Sequence, residues 1–295
     1  MTGISVIIPT HNRARFIVRA LTSVKRQTRK CDEIIVVDDG SDDDTRDCVH
    51  DFANNCRIPL NYIYQTNKGP SAARNSGIKV AKYSYLAFLD SDDHWKKRKL
   101  DMQFKALEKN PEIMISHTKE RWLRRGEHLN QKKIHQPGNG DIFKHCLQLC
   151  AVGMSTVMVR KELFNTVGLF NEGFRCCEDY DLWLRVSSQY LFLLIDTPLT
   201  VKEGGREDQV SFQYRIGMDK LRIAAILDLL NSGTLCEKQS KWTLKELQRK
   251  CYVYGNGCLK HDREQEGEAY LDIENWAGKC LNSKITQSTS IPETP

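Results

Sequence analysis

Four apolar runs dominate the start of the chain: ISVIIPT from Ile4, EIIVVDDG from Glu33, LNYIYQ from Leu60 and YLAFLD from Tyr85. Segments of helical pattern separate them. The first puts Ile17, Ala20, Leu21 and Val24 on one helical face. Strands that are apolar along nearly their whole length need cover on both faces, and helical connections return each strand in the same direction. The pattern predicts an α/β fold: a Rossmann-like, mainly parallel sheet flanked by helices.

The alternation continues less regularly. GPSAARNSGIKVAK from Gly69 reads as a small-residue helix, and Leu100, Phe104 and Leu107 mark another that ends near KNPE. IMISHT from Ile113, STVMVR from Ser155 and YLFLLI from Tyr190 read as strands, KELFNTVGLF as a short helix closed by Gly168, and EDYDLWLRVSSQ from Glu178 as a helix. Between Arg121 and Gly140 the pattern dissolves into a polar loop or hairpin. Beyond Gly204-Gly205 the chain turns helical from about Ser211 to Asn282, and the last residues, NSKITQSTSIPETP, read as disordered.

Composition excludes several classes. The formal net charge of +6 is too small to argue for nucleic-acid binding, though it suits an anionic ligand or lipid surface. No run approaches the ~18 apolar residues of a membrane span, and the N-terminus lacks a basic segment leading into an apolar core. The cytoplasm is the expected location, with the inner face of a membrane as a place for peripheral contact. The eleven cysteines include no CxxC pair, so plain thiols are favoured over a zinc site at Cys146, Cys150, Cys176 and Cys177. There is no GxxxxGK[ST], no GxGxxG after the first strand, no GxSxG and no HExxH.

Ligands of open parallel sheets bind beyond the carboxyl ends of the strands. Three such ends carry chemistry here: Pro9-Thr10-His11-Asn12-Arg13, Asp38-Asp39 and Asp90-Ser91-Asp92-Asp93. Two carboxylates leaving a strand side by side repel unless a proton or a cation intervenes. Mg²⁺ or Mn²⁺ answers that need with hard oxygen ligands, typically one or two carboxylates completed by phosphates and water. The plainer alternative for 90–93 is an acidic cap on a helix beginning at DDHWKKRKL. For 38–39 the choice lies between a turn and a carboxylate that reads a nucleobase or ribose.

Taken together, SVIIPTHNR, EIIVVDDGSDDDT, NKGPSAARNSGI, LAFLDSDDHW and EDYDLWLR resemble the signature series of family 2 glycosyltransferases of the GT-A fold. The five blocks run in the family's order from Ser5 to Arg185. The resemblance implies a nucleotide-diphosphate-sugar donor, with UDP the expected nucleotide. It also implies a divalent cation and inversion at the anomeric carbon, a hexosyl-type transfer to a glycan or lipid-linked acceptor in cell-surface polysaccharide synthesis. By position, Pro9, Thr10 and Asn12 line the nucleotide pocket, Asp39 or its neighbour Asp38 contacts the base, and Arg74 lies near the donor. Asp90, Ser91 and Asp92 form the DxD motif, with Asp90 and Asp92 as metal ligands and Asp93 as a third. Asp179 falls where the acidic base stands, with Glu178 and Asp181 as neighbours and a helix cap as its structural alternative.

The resemblance implies a GT-A catalytic domain over 1–205, divided into a nucleotide-sugar half (1–110) and an acceptor half (111–205). A C-terminal helical extension over 206–283 and a disordered tail over 284–295 follow. The basic runs WKKRK (Trp95 to Lys99) and RWLRR (Arg121 to Arg125) read as solvated faces, or as surfaces that steer phosphate or touch anionic lipid. GGREDQVS from Gly204 reads as a joint that either closes over the donor or merely connects. Two other functions compete. A sugar nucleotidyltransferase needs a glycine-rich loop after the first strand, which PTHNRARF lacks. A catalytically silent binding module would not need the acidic set.

Overall fold

Apolar strands shielded on both sides fix the first half of the molecule. The computed structural model describes residues 1–124, 126–214, 216–282 and 291–293. β1 (Ile4–Thr10), β2 (Glu33–Asp39), β3 (Leu60–Gln65) and β4 (Tyr85–Phe88) alternate with α1 (Ala14–Lys25), α2 (Thr45–Asn54) and α3 (Pro70–Val80). The pairs β1–β2, β1–β4 and β2–β3 are all parallel. Every residue of β1, β2 and β4 is buried, whereas β3 is only half shielded. Alternate residues feed two cores. Val6, Ile8, Ile34 and Val36 pack under α1 and α2, while Ile7, Ile35, Val37 and Phe88 face the opposite layer.

The second half adds β5 (His94–Trp95), α4 (Lys99–Lys109), β6 (Ile115–Arg124), β7 (Glu127–Leu129), α5 (Phe143–Gln148), β8 (Met158–Arg160), α6 (Leu163–Val167), α7 (Glu178–Ser187) and β9 (Phe192–Gly204). The sheet order is β3-β2-β1-β4-β8-β6-β9-β5, with β7 paired to β6. β8 runs antiparallel to both β4 and β6, and β6 is parallel to β9. The expected parallel sheet is thus present, with mixed pairing confined to the far half.

α8 (Val210–Gln213), α9 (Met218–Asn231), α10 (Glu237–Leu259) and α11 (Glu264–Asn282) complete the helices of the described residues. Their apolar faces, with Ile226, Leu247 and Tyr270, join the same core as Trp183 of α7. The C-terminal extension is therefore packed on the sheet domain by hydrophobic burial. No helix among the described residues is long and apolar enough to cross a membrane.

Several local expectations change. No helix starts at DDHWKKRKL: the chain turns, forms β5, and enters α4 only at Lys99, with Arg98 at its N-cap. Neither Asp92 nor Asp93 caps it. Lys99 is not a solvated cation; it is fully buried, 2.6 Å from Gln103 Oε1 and 4.2 Å from the centre of the Trp95 ring. The polar stretch after Arg121 is a hairpin: β6 runs on to Arg124 and returns as β7, and a 3₁₀ turn follows at Lys133–His135. β9 continues through Asp196 and Pro198. The register steps from Thr118–Ile195 to Lys119–Pro198 to Glu120–Thr200, and this bulge accommodates a proline that cannot donate to the ladder. Arg125 and most of the expected tail lie outside the described residues, but Ile291 within that tail packs against the core.

Gly77 shows why α3 is rich in small residues. A Cβ at this position would lie 2.6 Å from Ile7 Cγ2, so β1 and α3 meet at a distance only glycine permits. Gly77→Val is expected to overpack this contact and lower the unfolding free energy by about 1–3 kcal/mol. Urea denaturation would read it as a lower midpoint at unchanged slope; an unchanged midpoint would mean that α3 does not bear on Ile7.

Candidate active site

The carboxyl ends of β1, β2 and β4 open into one cleft of about 830 Å³, closed on its far side by α7 and β9. Pro9, Thr10 and Asn12 line it beside Asp39 and Arg74. Asp90 to Asp93 and Asp179 line it as well. The convergence expected of residues more than a hundred positions apart is therefore present.

Asp38 is the exception. Adjacent strand residues face opposite ways, and Asp38 is fully buried away from the cleft. It accepts hydrogen bonds from Tyr62 Oη (2.6 Å) and the Ser41 backbone N–H (2.8 Å). Its role is to tie β2 to β3 and to the loop that follows. Asp39 faces the cleft and accepts from Gln65 Nε2 (2.7 Å) and from the backbone N–H groups of Lys68 (3.0 Å) and Gly69 (2.7 Å). Oδ1 accepts two of these bonds, so the remaining acceptor capacity lies on Oδ2, which accepts only from Gly69. Asn12 sits at φ +52° and braces the neighbouring loop through the Asp42 N–H, while the buried Thr10 hydroxyl has no protein partner.

The turn after β4 is held rigidly. Asp93 N–H closes it onto Asp90 O (2.9 Å), and Ser155 Oγ accepts from Asp90 N–H (3.0 Å). Arg19 donates to the Asp92 carbonyl (2.7 Å). Asp90 and Asp92, both half-buried, are already matched with cations. Arg74 lies 2.8 Å from Asp90 Oδ1 and 2.6 Å from Glu178 Oε1. Arg206 pairs with Asp92, and Gln209 also donates to it (3.4 Å).

Asp93 is buried and accepts from the Glu203 N–H (3.3 Å). Burial, with the charge of Asp92 beside it, raises its carboxyl well above the usual range. Among the described residues no three His, Cys, Asp or Glu side chains are gathered closely enough to cage a metal. The expected three-aspartate ligand set is thus not assembled, because Asp93 turns to β9. Asp90 and Asp92, whose carboxylates line the cleft side by side in the turn, are the residues that would hold a hard cation.

Asp179 stands in the first turn of α7, where the helix dipole favours a negative charge. Cys177 before it adopts φ +62°, a costly backbone state for a residue with a Cβ, and so turns Glu178 and Asp179 toward the cleft. Cys150 donates its S–H to Asp179 Oδ2 at 3.0 Å, and burial with the Asp179 charge raises that thiol's pKa, so it remains a donor. Glu178 is engaged by Arg74 and Asp181 by Arg185, which leaves Asp179 as the first-turn carboxylate without a cationic partner within 4 Å among the described residues.

Sequence reasoning missed Lys202, Arg206 and Glu120, all of which line the cleft or pair with its acids. Lys202 is set in a strand paired with β6. Burial opposes its charge, but Glu120, Asp93, Asp90 and Asp179 outweigh it and raise the ammonium's pKa. A lone lysine in the apolar run PLTVKEGG was the available signal. Arg206 lies in the glycine-flanked joint, where charge reads as surface.

The profile of "Glycosyl transferase family 2" matches residues 5–168. An uncharacterized glycosyltransferase of Rickettsia felis is 38% identical over 201 residues, 68% of this chain and 32% of that protein. The chain thus spans about a third of that relative's length. The Escherichia coli UDP-Glc:alpha-D-GlcNAc-diphosphoundecaprenol beta-1,3-glucosyltransferase WfgD is 33% identical over 187 residues, 62% of this chain and 69% of that one. TarS of S. aureus, solved in complex with UDP-GlcNAc, superposes with a TM-score of 0.72 at 20% identity, covering 90% of this chain and 78% of that one. That likeness is one of fold, and the fold is GT-A. With more than half of its length matched to the family profile and the family's acidic residues gathered in one cleft, the chain belongs to glycosyl transferase family 2.

Proposed function

We propose that the protein is a metal-dependent inverting glycosyltransferase. Its donor is a nucleotide-diphosphate sugar, with UDP the favoured nucleotide, and its acceptor is a hydroxyl of a glycan or lipid-linked saccharide. The observation that carries this reading is one cleft holding Asp39, the Asp90–Asp92 pair and Asp179. The relatives add support: TarS was solved with UDP and with UDP-GlcNAc, and WfgD is named for transfer from UDP-Glc to a lipid-linked sugar. A putative teichuronic acid biosynthesis glycosyltransferase of Bacillus subtilis, 32% identical over 182 residues, points the same way, toward surface polysaccharide.

In this reading Asp39 and the loop it organises receive the nucleoside, and Thr10 supplies a free hydroxyl beside it. Asp90 and Asp92 would hold a divalent cation, Mg²⁺ or Mn²⁺, which would offset their repulsion of the diphosphate and supply Lewis-acid stabilisation of charge on the departing nucleotide diphosphate. Arg74 orients Asp90 through its double ion pair. Asp179 takes the proton of the acceptor hydroxyl as that oxygen attacks the anomeric carbon opposite the leaving group. Attack from that side inverts the centre, with no covalent enzyme intermediate. Catalysis occurs at the inner face of a membrane if the acceptor is lipid-linked, and basic residues outside the cleft provide peripheral contact.

Removing the base separates chemistry from binding. Asp179→Asn should reduce transfer by about 10²–10⁴-fold while leaving UDP binding intact. Turnover at the wild-type rate would remove Asp179 from this role. Ligand linkage tests the clamp: UDP with Mg²⁺ at a hundred times Kd should stabilise the fold by about 2.7 kcal/mol. In a thermal-shift titration Asp92→Ala should lose the part of that stabilisation that chelation removes from the wild type. An equal, chelator-insensitive shift in both proteins would refute the metal clamp.

A further inference from the structure

We infer that the outward face of α10, continued by Lys144 of α5 and by the turn at Lys133–His135, docks on an anionic phospholipid surface. The inference rests on the glycosyltransferase reading for its purpose, which is to bring the cleft to a lipid-linked acceptor, and it assigns the surface that makes the contact.

α10 buries Leu244, Leu247, Cys251 and Cys258 on one side, where it packs against α9 and α11. Its other side faces solvent. Lys238, Lys241, Lys245 and Arg249 recur there at intervals of three or four residues, so they stand in one row along the helix. Tyr252 and Val253 extend the row by another turn and are 59% and 52% exposed. From Lys238 to Val253 the row runs about 22 Å. Lys241 pairs with the exposed Glu237, and Arg249 with the buried Glu246. Lys238 and Lys245 have no carboxylate within 4 Å among the described residues.

Trp242 sits within the row. The Lys238 ammonium lies 4.8 Å from the centre of its ring, and that of Lys144 lies 5.7 Å away. Lys144 stands exposed on α5, and its neighbour His145 places Nε2 2.8 Å from the Ile134 carbonyl oxygen. Ile134 is 52% exposed and follows the exposed Lys132 and Lys133. The row on α10 is thus continuous with a second cluster of the same make-up, lysines beside an apolar side chain.

The chemistry selects a lipid surface. Ammonium and guanidinium groups meet the phosphates, indole and phenol rings suit the depth of the headgroups, and aliphatic side chains reach the acyl boundary. A nucleic acid would use the cations but gain nothing from Val253 and Ile134, and the ammonium groups over Trp242 compete with a stacked base. The row follows the ridge of one helix, which fits a flat surface. Its position serves the cleft. Lys250, on the flank of α10, donates to the Gln148 carbonyl (3.3 Å), and the next two residues, Leu149 and Cys150, line the cleft. His135, beside Ile134, lines it as well.

The test is flotation of the whole chain with vesicles of phosphatidylcholine alone and of equal parts phosphatidylcholine and phosphatidylglycerol. The wild type should float with the anionic vesicles only, and less in high salt. Lys238→Gln with Lys245→Gln should lower its partition roughly tenfold or more. Tyr252→Ser with Val253→Ser should lower it at unchanged charge. Lys96→Gln with Lys97→Gln removes the same charge from another exposed surface and should keep most of the binding. The inference is overturned if the anionic vesicles bind no protein, if either α10 variant floats as the wild type does, or if the Lys96 and Lys97 variant loses as much as the Lys238 and Lys245 one. It is also overturned if a single-stranded oligonucleotide at equal phosphate displaces the vesicles, or if the Tyr252 and Val253 variant splits a dimer that the wild type forms. The thermal shift given by UDP should be the same in every variant. Vesicle binding with no UDP shift in the wild type would leave the surface standing and sink the function; a UDP shift with no vesicle binding would do the reverse.

Discussion

A single buried guanidinium organises this molecule's chemistry. Arg74 reaches from α3 to Asp90 in the turn after β4 and to Glu178 at the start of α7. It thereby joins the turn after β4 to the start of α7, and its bond to Glu178 spans 104 positions of chain. Two carboxylates outweigh the burial that disfavours its charge, so it stays protonated. Buried pairs of this kind add little net stability when complete, but breaking one strands a charge in low dielectric. Its value lies in position: α3 can carry Arg74 to both acids only because Gly77 lets the helix settle onto Ile7.

Around that bridge the cleft holds more acid than it neutralises locally. Asp92 draws in Arg206 from the segment after β9, and Asp208 of the same segment pairs with Arg13 beside β1. The segment read as a joint is thus tied across the mouth of the cleft by ion pairs at both edges. These contacts are partly exposed and so weak individually. Lys202, deeper in the cleft, faces the remaining acids from the far side.

Much of the site was legible because strand ends are chemically conspicuous. Asp39, Asp90 and Asp92 stand out where apolar runs stop, and they line the cleft together with Asp179. Asp38 was not separable from Asp39 by sequence, since both end the same run; only the pleat sends one inward to Tyr62. Asp93 was grouped with its neighbours, but the turn aims it at the Glu203 backbone. Glu120 was hidden by the reverse error. It stands just before the stretch from Arg121 that looked like loop, because a strand bordering a cleft carries polar side chains where a core strand carries apolar ones.

The amino-acid order by itself determined the α/β class, the parallel core and the acidic strand ends, because hydrophobic periodicity and strand termination act over a few residues. It did not determine which carboxylates would meet which cations. Arg74 with Glu178, Arg206 with Asp92, and Lys202 among four acids are pairings across long stretches of chain. Only the tertiary structure decided them, since a charge's partner is set by distance and dielectric in the folded state, and neither quantity exists in the linear chain.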